Sequence, residues 1–131
     1  MTTNPDDHVV IVTGATSGFG RATAQKFAKA GAHVVVAGRR EDRLAELKDE
    51  FGDLVHVVPL DVRDNAAVAV AFTDLPPPFN APTVLVNNAG LALGLETADK
   101  ADLEEWTRMI DTNVTGLATV THAVLPGMVD R

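Results

Sequence analysis

Residues Thr13 to Gly20 read TGATSGFG, and the apolar run Val9 to Val12 leads directly into them. Glycines fall at 14, 18 and 20, a G-x3-G-x-G spacing. Beyond the last glycine, Ala24, Phe27 and Ala28 recur at helical spacing across Arg21 to Lys29, until Gly31 ends the pattern. The stretch therefore reads as strand, turn, helix. Glycine has no Cβ, so the backbone can turn sharply and a pyrophosphate can sit against free amides at the helix N-terminus. Thr16 and Ser17 add hydroxyl donors to the same loop. A glycine-rich strand-to-helix turn can also be purely architectural. Its place at the first βα junction of an alternating chain favours a nucleotide-phosphate seat, with Gly14, Thr16, Ser17, Gly18, Phe19 and Gly20 as the candidate residues.

The alternation continues along the chain. His33 to Ala37 is a short β-branched run closed by Gly38, and Glu41 to Phe51 carries Leu44, Leu47 and Phe51 on one helical stripe. Leu54 to Leu60 predicts a third strand, Asn65 to Phe72 a third helix, and Thr83 to Val86 a fourth strand. That fourth strand lacks polar alternation and is expected to be buried on both faces. Leu75 to Pro82 is proline-dense and reads as a loop. From about Lys100 the pattern is helical to the end, with an irregularity near Asn113 to Gly116 and a kink expected at Pro126. Leu103, Trp106, Met109 and Ile110 form one stripe, read as core. Strands alternating with helices predict a parallel sheet with right-handed crossovers, covered on both faces.

Composition excludes several functions. The chain has 131 residues, 46% of them hydrophobic, which suits one domain able to bury roughly two thirds of its unfolded surface. There is no cysteine, so disulfides, thiolate metal sites and cysteine nucleophiles are excluded. A net charge of −7 argues against nucleic acid, whose binding needs clustered Lys and Arg. The run Met1 to Asp7 is polar and acidic, the reverse of a signal peptide, and no apolar run approaches the roughly 18 residues of a membrane span. A cytoplasmic protein acting on a small molecule is the expectation. The histidines at 8, 33, 56 and 122 are scattered without ligand spacing and are not read as metal ligands.

Cofactor choice is read at the end of the second strand. In dinucleotide-binding folds an acid ~20 positions beyond the glycine turn meets the adenosine ribose and selects NAD. Here Gly38 is followed by Arg39 and Arg40. Two guanidiniums would attract the 2′-phosphate of NADP through charge-assisted bonds of about 1.5–3 kcal/mol each, roughly a ten- to hundredfold preference. The competing possibility is that Arg39, Arg40 and Arg43 pair with Glu41, Asp42 and Glu46 along a solvated helix face, the reading adopted for Arg43.

TGATSGFG, GRR (38–40), LDVR (60–63), NNAG (87–90) and Asn113 within DTNVTG together resemble the short-chain dehydrogenase/reductase family, over His8 to Arg131. GRREDRL, LVNNAGLALG, the EEW…MIDTN stretch and AVLPGMV are similar, within it, to NADP-dependent 3-hydroxy acid dehydrogenases acting on serine and related acids. The resemblance implies a Rossmann-type doubly wound parallel sheet, here its first four strands, and NADP as cofactor. It implies that Asp61 and Val62 meet adenine, although Asp61 could also be a strand-end cap. Asn88, Ala89 and Gly90 are implied beneath the nicotinamide ribose, with Asn87 tying strand four to its neighbour. Asn113 matches the catalytic asparagine that interrupts a helix and holds a water of the proton relay; with Thr112 and Thr115 nearby it could equally mark an ordinary helix break.

The resemblance implies a serine, a tyrosine and a lysine in a segment beyond the helix that follows strand four, which these 131 residues do not reach, and the chain contains no tyrosine. The expectation is an amino-terminal part of an NADP-dependent oxidoreductase, inactive by itself. A non-catalytic nucleotide-binding module is the alternative, and G-x3-G-x-G argues against an extended-type epimerase or dehydratase. Leu117, Val120, Val124 and Met128 form a stripe expected at a two-fold contact between subunits, as the family implies, leaving Ala118, Ala123 and Leu125 for the sheet.

Overall fold

A computed structural model describes residues 4–131. Four strands, β1 (Val9–Thr13), β2 (His33–Gly38), β3 (Val55–Pro59) and β4 (Val84–Val86), lie parallel in the order β3-β2-β1-β4. Helices α1 (Gly18–Lys29), α2 (Glu41–Phe51) and α3 (Asn65–Ala71) make the crossovers, and α4 (Leu103–Ile110) and α5 (Leu117–Asp130) follow β4. This is the expected Rossmann-type doubly wound arrangement. Of the polar N-terminal run, Pro5–Asp7 forms a single 3-10 turn and residues 1–3 lie outside the described residues.

The strand pattern distributes the core. Successive side chains alternate between faces, so Val10, Val12, Val34 and Val36 pack with Ala24, Ala28, Leu44 and Leu47 of α1 and α2. Val9, Ile11, Val35 and Ala37 point the other way, onto Val68, Val120 and Val124 of α3 and α5. Right-handed crossovers require this: the chain steps outward from β1 to β3 with its helices on one face, then returns past β1 to β4 with α3 on the other. The direction reverses between β1 and β4, which opens a crevice at the carboxyl ends of the strands.

Element boundaries shift for local reasons. Helix α1 begins at Gly18, inside the glycine turn, and Gly52–Leu54 forms a 3-10 turn that delays β3 to Val55. Asp64 caps α3 by accepting from the Ala67 amide at 3.1 Å, and α4 starts at Leu103 because Asp102 accepts from the Glu104 amide at 2.9 Å. Helix α5 runs through Pro126 to Asp130, and the guanidinium of Arg131 donates to the Pro82 carbonyl.

Three expectations about burial are corrected. Strand β4 is half-buried, because it has β1 on one side only. The α4 stripe is not core: Leu103, Trp106 and Ile110 are exposed, and Trp106 retains 42% of its surface. On α5 the expected faces are only partly right: Leu117 lies outward and Ala123 packs on the core as expected, but Val120, Val124 and Met128 turn inward while Ala118 and Leu125 turn outward. Val120 and Val124, with Gly116 one turn earlier, are buried against the sheet, whereas Leu117, Ala118 and Leu125 face outward. The four-residue step from 116 to 120 to 124 sets the inner face. The outward stripe therefore runs Leu103, Trp106, Ile110, Leu117, Leu125.

Candidate functional site

The crevice holds a cavity of about 380 Å³. The glycine turn supplies one wall through Gly14, Thr16 and Ser17, and the end of β2 supplies Gly38, Arg39 and Arg40. Asp61 and Val62 close it from β3, and Asn88, Ala89 and Gly90 form its floor after β4. Ten of the residues singled out from sequence thus meet around one space.

Thr13 is the keystone of that floor. Its hydroxyl oxygen accepts from the amides of Asn88 and Ala89, both at 3.0 Å, and it is 1% exposed. The Asn88 side chain in turn donates from Nδ2 to the Gly14 carbonyl at 3.0 Å. This pair of links stitches the end of β4 to the turn after β1. The strand tie assigned to Asn87 is thus made by Asn88, and Asn87 instead donates to Thr121 Oγ1 of α5 at 2.9 Å.

Two glycines are required by this geometry. Gly14 has φ +63°, a left-handed conformation that disfavours side chains. Gly20 does not line the cavity; a Cβ there would overlap the Gly14 carbonyl and Asn88 Nδ2, so glycine permits the first turn of α1 to seat against the floor. Gly18 also lies off the lining, and Phe19 is turned to solvent, 88% exposed. Ser17 precedes α1 without donating or accepting a side-chain cap bond, so the first-turn amides keep their free hydrogens toward the cavity end.

At the β2 corner Arg39 and Arg40 are exposed, and neither forms an ion pair among the described residues. The pairing expected for Arg43 is overturned as well: Glu46 binds Arg21 of α1 at 2.9 Å, because tertiary packing brings the two helices side by side. Asp61 faces the same corner. Its carboxyl is held below its ordinary value of 3.8, first by hydrogen bonds from the Arg63 side chain. It also accepts from the Arg63 amide at 3.0 Å, so the strand-end turn is real.

Asn113 lies in a π-helical segment, Asp111–Gly116, between α4 and α5. Its Oδ1 accepts from the Leu91 amide at 2.7 Å and its Nδ2 donates to the Leu91 carbonyl at 2.8 Å. Asn113 does not line the cavity but clamps a residue that does. Leu91, Leu60, Ala37 and Thr112 are lining residues that motif reading did not single out. Only their neighbours in the motifs could have indicated them.

A dinucleotide fits this donor set. The free amides and hydroxyls at the α1 terminus suit a pyrophosphate, and uncommitted guanidiniums suit a further phosphate. Among the described residues no group of three or more His, Asp or Glu is placed to hold a metal ion.

Fold and crevice together define a dinucleotide-binding architecture of the doubly wound type, and residues 8–131 match the short chain dehydrogenase family. The chain belongs to that family. It is 52% identical over 123 residues to the NADP-dependent 3-hydroxy acid dehydrogenase YdfG of Escherichia coli, covering 94% of this chain and 50% of that protein. It is equally 52% identical to sulfoacetaldehyde reductase 2 of Chromohalobacter salexigens, over 93% of this chain and 49% of that protein. The closed form of a serine dehydrogenase complexed with NADP+ superposes with a TM-score of 0.90 at 52% identity, over 93% of this chain and 49% of that one. The chain spans about half the length of the curated relatives it matches.

Proposed function

We propose that the 131 residues form the amino-terminal, NADP-binding part of a short-chain oxidoreductase that moves hydride between the nicotinamide and a small hydroxy or keto acid, a 3-hydroxy acid such as serine being the favoured substrate. The observation that carries this reading is the β2 corner, where two exposed arginines without an ion-pair partner among the described residues line the cavity directly after Gly38. The NADP-dependent relatives support it.

NADP, when bound, supplies the hydride donor or acceptor. The residues of this chain bind and orient. Thr16, Ser17 and the first amides of α1, beside Gly14, Gly18, Phe19 and Gly20, receive the pyrophosphate. Arg39 and Arg40 receive the 2′-phosphate, and Asp61 and Val62 meet the adenine. Asn88, Ala89 and Gly90 support the nicotinamide ribose. Asn113 acts through Leu91 as a positioning residue, and the water of the proton relay is assigned to it by the family pattern. The acid/base tyrosine of that pattern is not among these residues, so on this reading the 131 residues alone give no turnover and offer at most the adenosine part of the cofactor site. A nucleotide-binding module without catalysis is the second reading; turnover of a 3-hydroxy acid by the complete protein would exclude it. The composition supports a cytoplasmic location, and no described helix is long and apolar enough to cross a membrane.

The test is Arg39→Asp in the complete protein. NADP+ affinity is expected to fall at least tenfold while NAD+ affinity is equal or better. Tighter binding of NAD+ by the unmodified protein would refute the reading.

A further inference from the structure

We propose that Arg63 determines the preference for a 2′-phosphate without touching it, by occupying the Asp61 carboxylate and so keeping Arg39 available. The proposal rests on the reading of the cavity as an NADP site.

An acid on the wall of a cavity that must accept a phosphate is a liability. Asp61 lines the same space as Arg39 and Arg40, and Arg39 acts on its charge through space. A carboxylate left to itself there would repel a phosphate dianion and draw the nearest arginine into an ion pair. The second consequence is not realised in the fold. Arg63 sends its Nη2 to Oδ2 at 2.7 Å and its Nε to Oδ1 and Oδ2 at 3.0 and 3.2 Å. Its own amide adds a bond to Oδ1 at 3.0 Å. A carboxylate offers about four acceptor directions, and Arg63 alone directs three N–H donors at Asp61, the Nε–H being shared between both oxygens. Arg39 donates none, and among the described residues it has no ion-pair partner within 4.0 Å.

The two residues lie two positions apart on one turn, so the fork is local and closes without tertiary rearrangement. Removing Arg63 leaves Asp61 with a single amide donor, and Arg39 becomes the nearest cation on the cavity wall. Arg39 would then close onto Asp61, and a ligand with a 2′-phosphate would lose both an arginine and the local charge balance. A ligand without that phosphate would lose little.

The test uses the complete protein and two nicotinamide-free probes, adenosine 2′,5′-bisphosphate and 5′-AMP, with dissociation constants from titration calorimetry. The unmodified protein is expected to prefer the bisphosphate. Arg63→Ala should reduce that preference about tenfold, chiefly by weakening the bisphosphate. In the Asp61→Asn background the same Arg63→Ala change should alter the preference less than twofold, because no carboxylate remains to capture Arg39. Arg63→Lys, which keeps the charge but not the fork, should give a smaller loss of the same sign, and it serves if Arg63→Ala does not fold. Equal losses for both probes, or an undiminished effect in the Asp61→Asn background, would overturn the proposal. An unmodified protein that does not distinguish the probes would instead refute the NADP reading beneath it.

Discussion

Thr13→Val isolates the link between stability and the cofactor floor. Valine matches threonine in shape, so the substitution leaves no cavity; it removes one oxygen. That oxygen accepts from two amides, Asn88 and Ala89, at 3.0 Å each. A buried donor left without a partner costs about 1–3 kcal/mol. Both amides are only partly buried, so the low end applies, giving about 2 kcal/mol for the pair. Thr13→Ser keeps the acceptor and loses one buried methyl, about 1 kcal/mol. Urea unfolding of the complete protein, followed by circular dichroism, should place the midpoints in the order threonine, serine, valine at constant slope. The binding assay separates the two further. Serine should leave the NADP+ dissociation constant within twofold, whereas valine should raise it several-fold because the Asn88 to Gly90 floor is no longer anchored. Valine no more destabilising than serine, with unchanged binding, would refute the keystone role of Thr13.

Gly20→Ala should reduce NADP+ affinity at least tenfold, since the new methyl overlaps the Gly14 carbonyl and Asn88 Nδ2 and must push α1 off the floor; calorimetric binding equal to the unmodified protein would count against that packing. Leu117→Glu places a charge on the outward stripe of α5, where Leu117 keeps 44% of its surface. If this face meets a second copy in the complete protein, light scattering should register a smaller assembly for the variant, and an unchanged mass would remove the contact. Burial, then the charge of Lys48, lowers the pKa of His56 from 6.5. The unfolded chain therefore binds more protons just below pH 6.5, and the stability contribution is full above 6.5 and lost as pH falls toward the folded value. His56→Gln should flatten that acid limb of the stability profile, and an identical profile would show that His56 does not titrate with folding.

The fold was legible wherever the signal was local. β-branched runs ending in glycine marked β1 and β2, and the direction of the crossovers followed from handedness. The irregularity near Asn113 was visible as a cluster of threonine, asparagine and glycine, and it is a π-helical segment. Faces of amphipathic helices were less legible. On α5 apolar residues surround most of the axis, so several stripes fit; Gly116 decided which one could approach Val62, and glycine carries no hydrophobic signal. Trp106 failed as a core prediction for a related reason, because spacing identifies a stripe without identifying what covers it. Charged pairs were the least legible. Arg43 stood three residues from Glu46, but Arg21 reached Glu46 from another helix, and the difference between an exposed local pair and an exposed tertiary pair is within about 1 kcal/mol.

Two sequence readings of Asp61 meet on one carboxylate. As a strand-end cap it accepts the Arg63 amide, and as a wall of the cavity it faces the proposed adenine site. These roles compete for the same lone pairs. With the Arg63 fork in place, an exocyclic amine must share an oxygen already engaged, so Asp61 has little capacity left for reading the base. What remains is its charge, which acts over several ångströms and does not depend on a free lone pair. That charge must be balanced before a 2′-phosphate can settle beside it, and the balancing residue is encoded two positions further along the same turn. On the proposed reading, cofactor preference at this corner belongs to the set Arg39, Arg40, Asp61 and Arg63, because the two arginines after β2 share the cavity wall with an acid that would otherwise capture one of them.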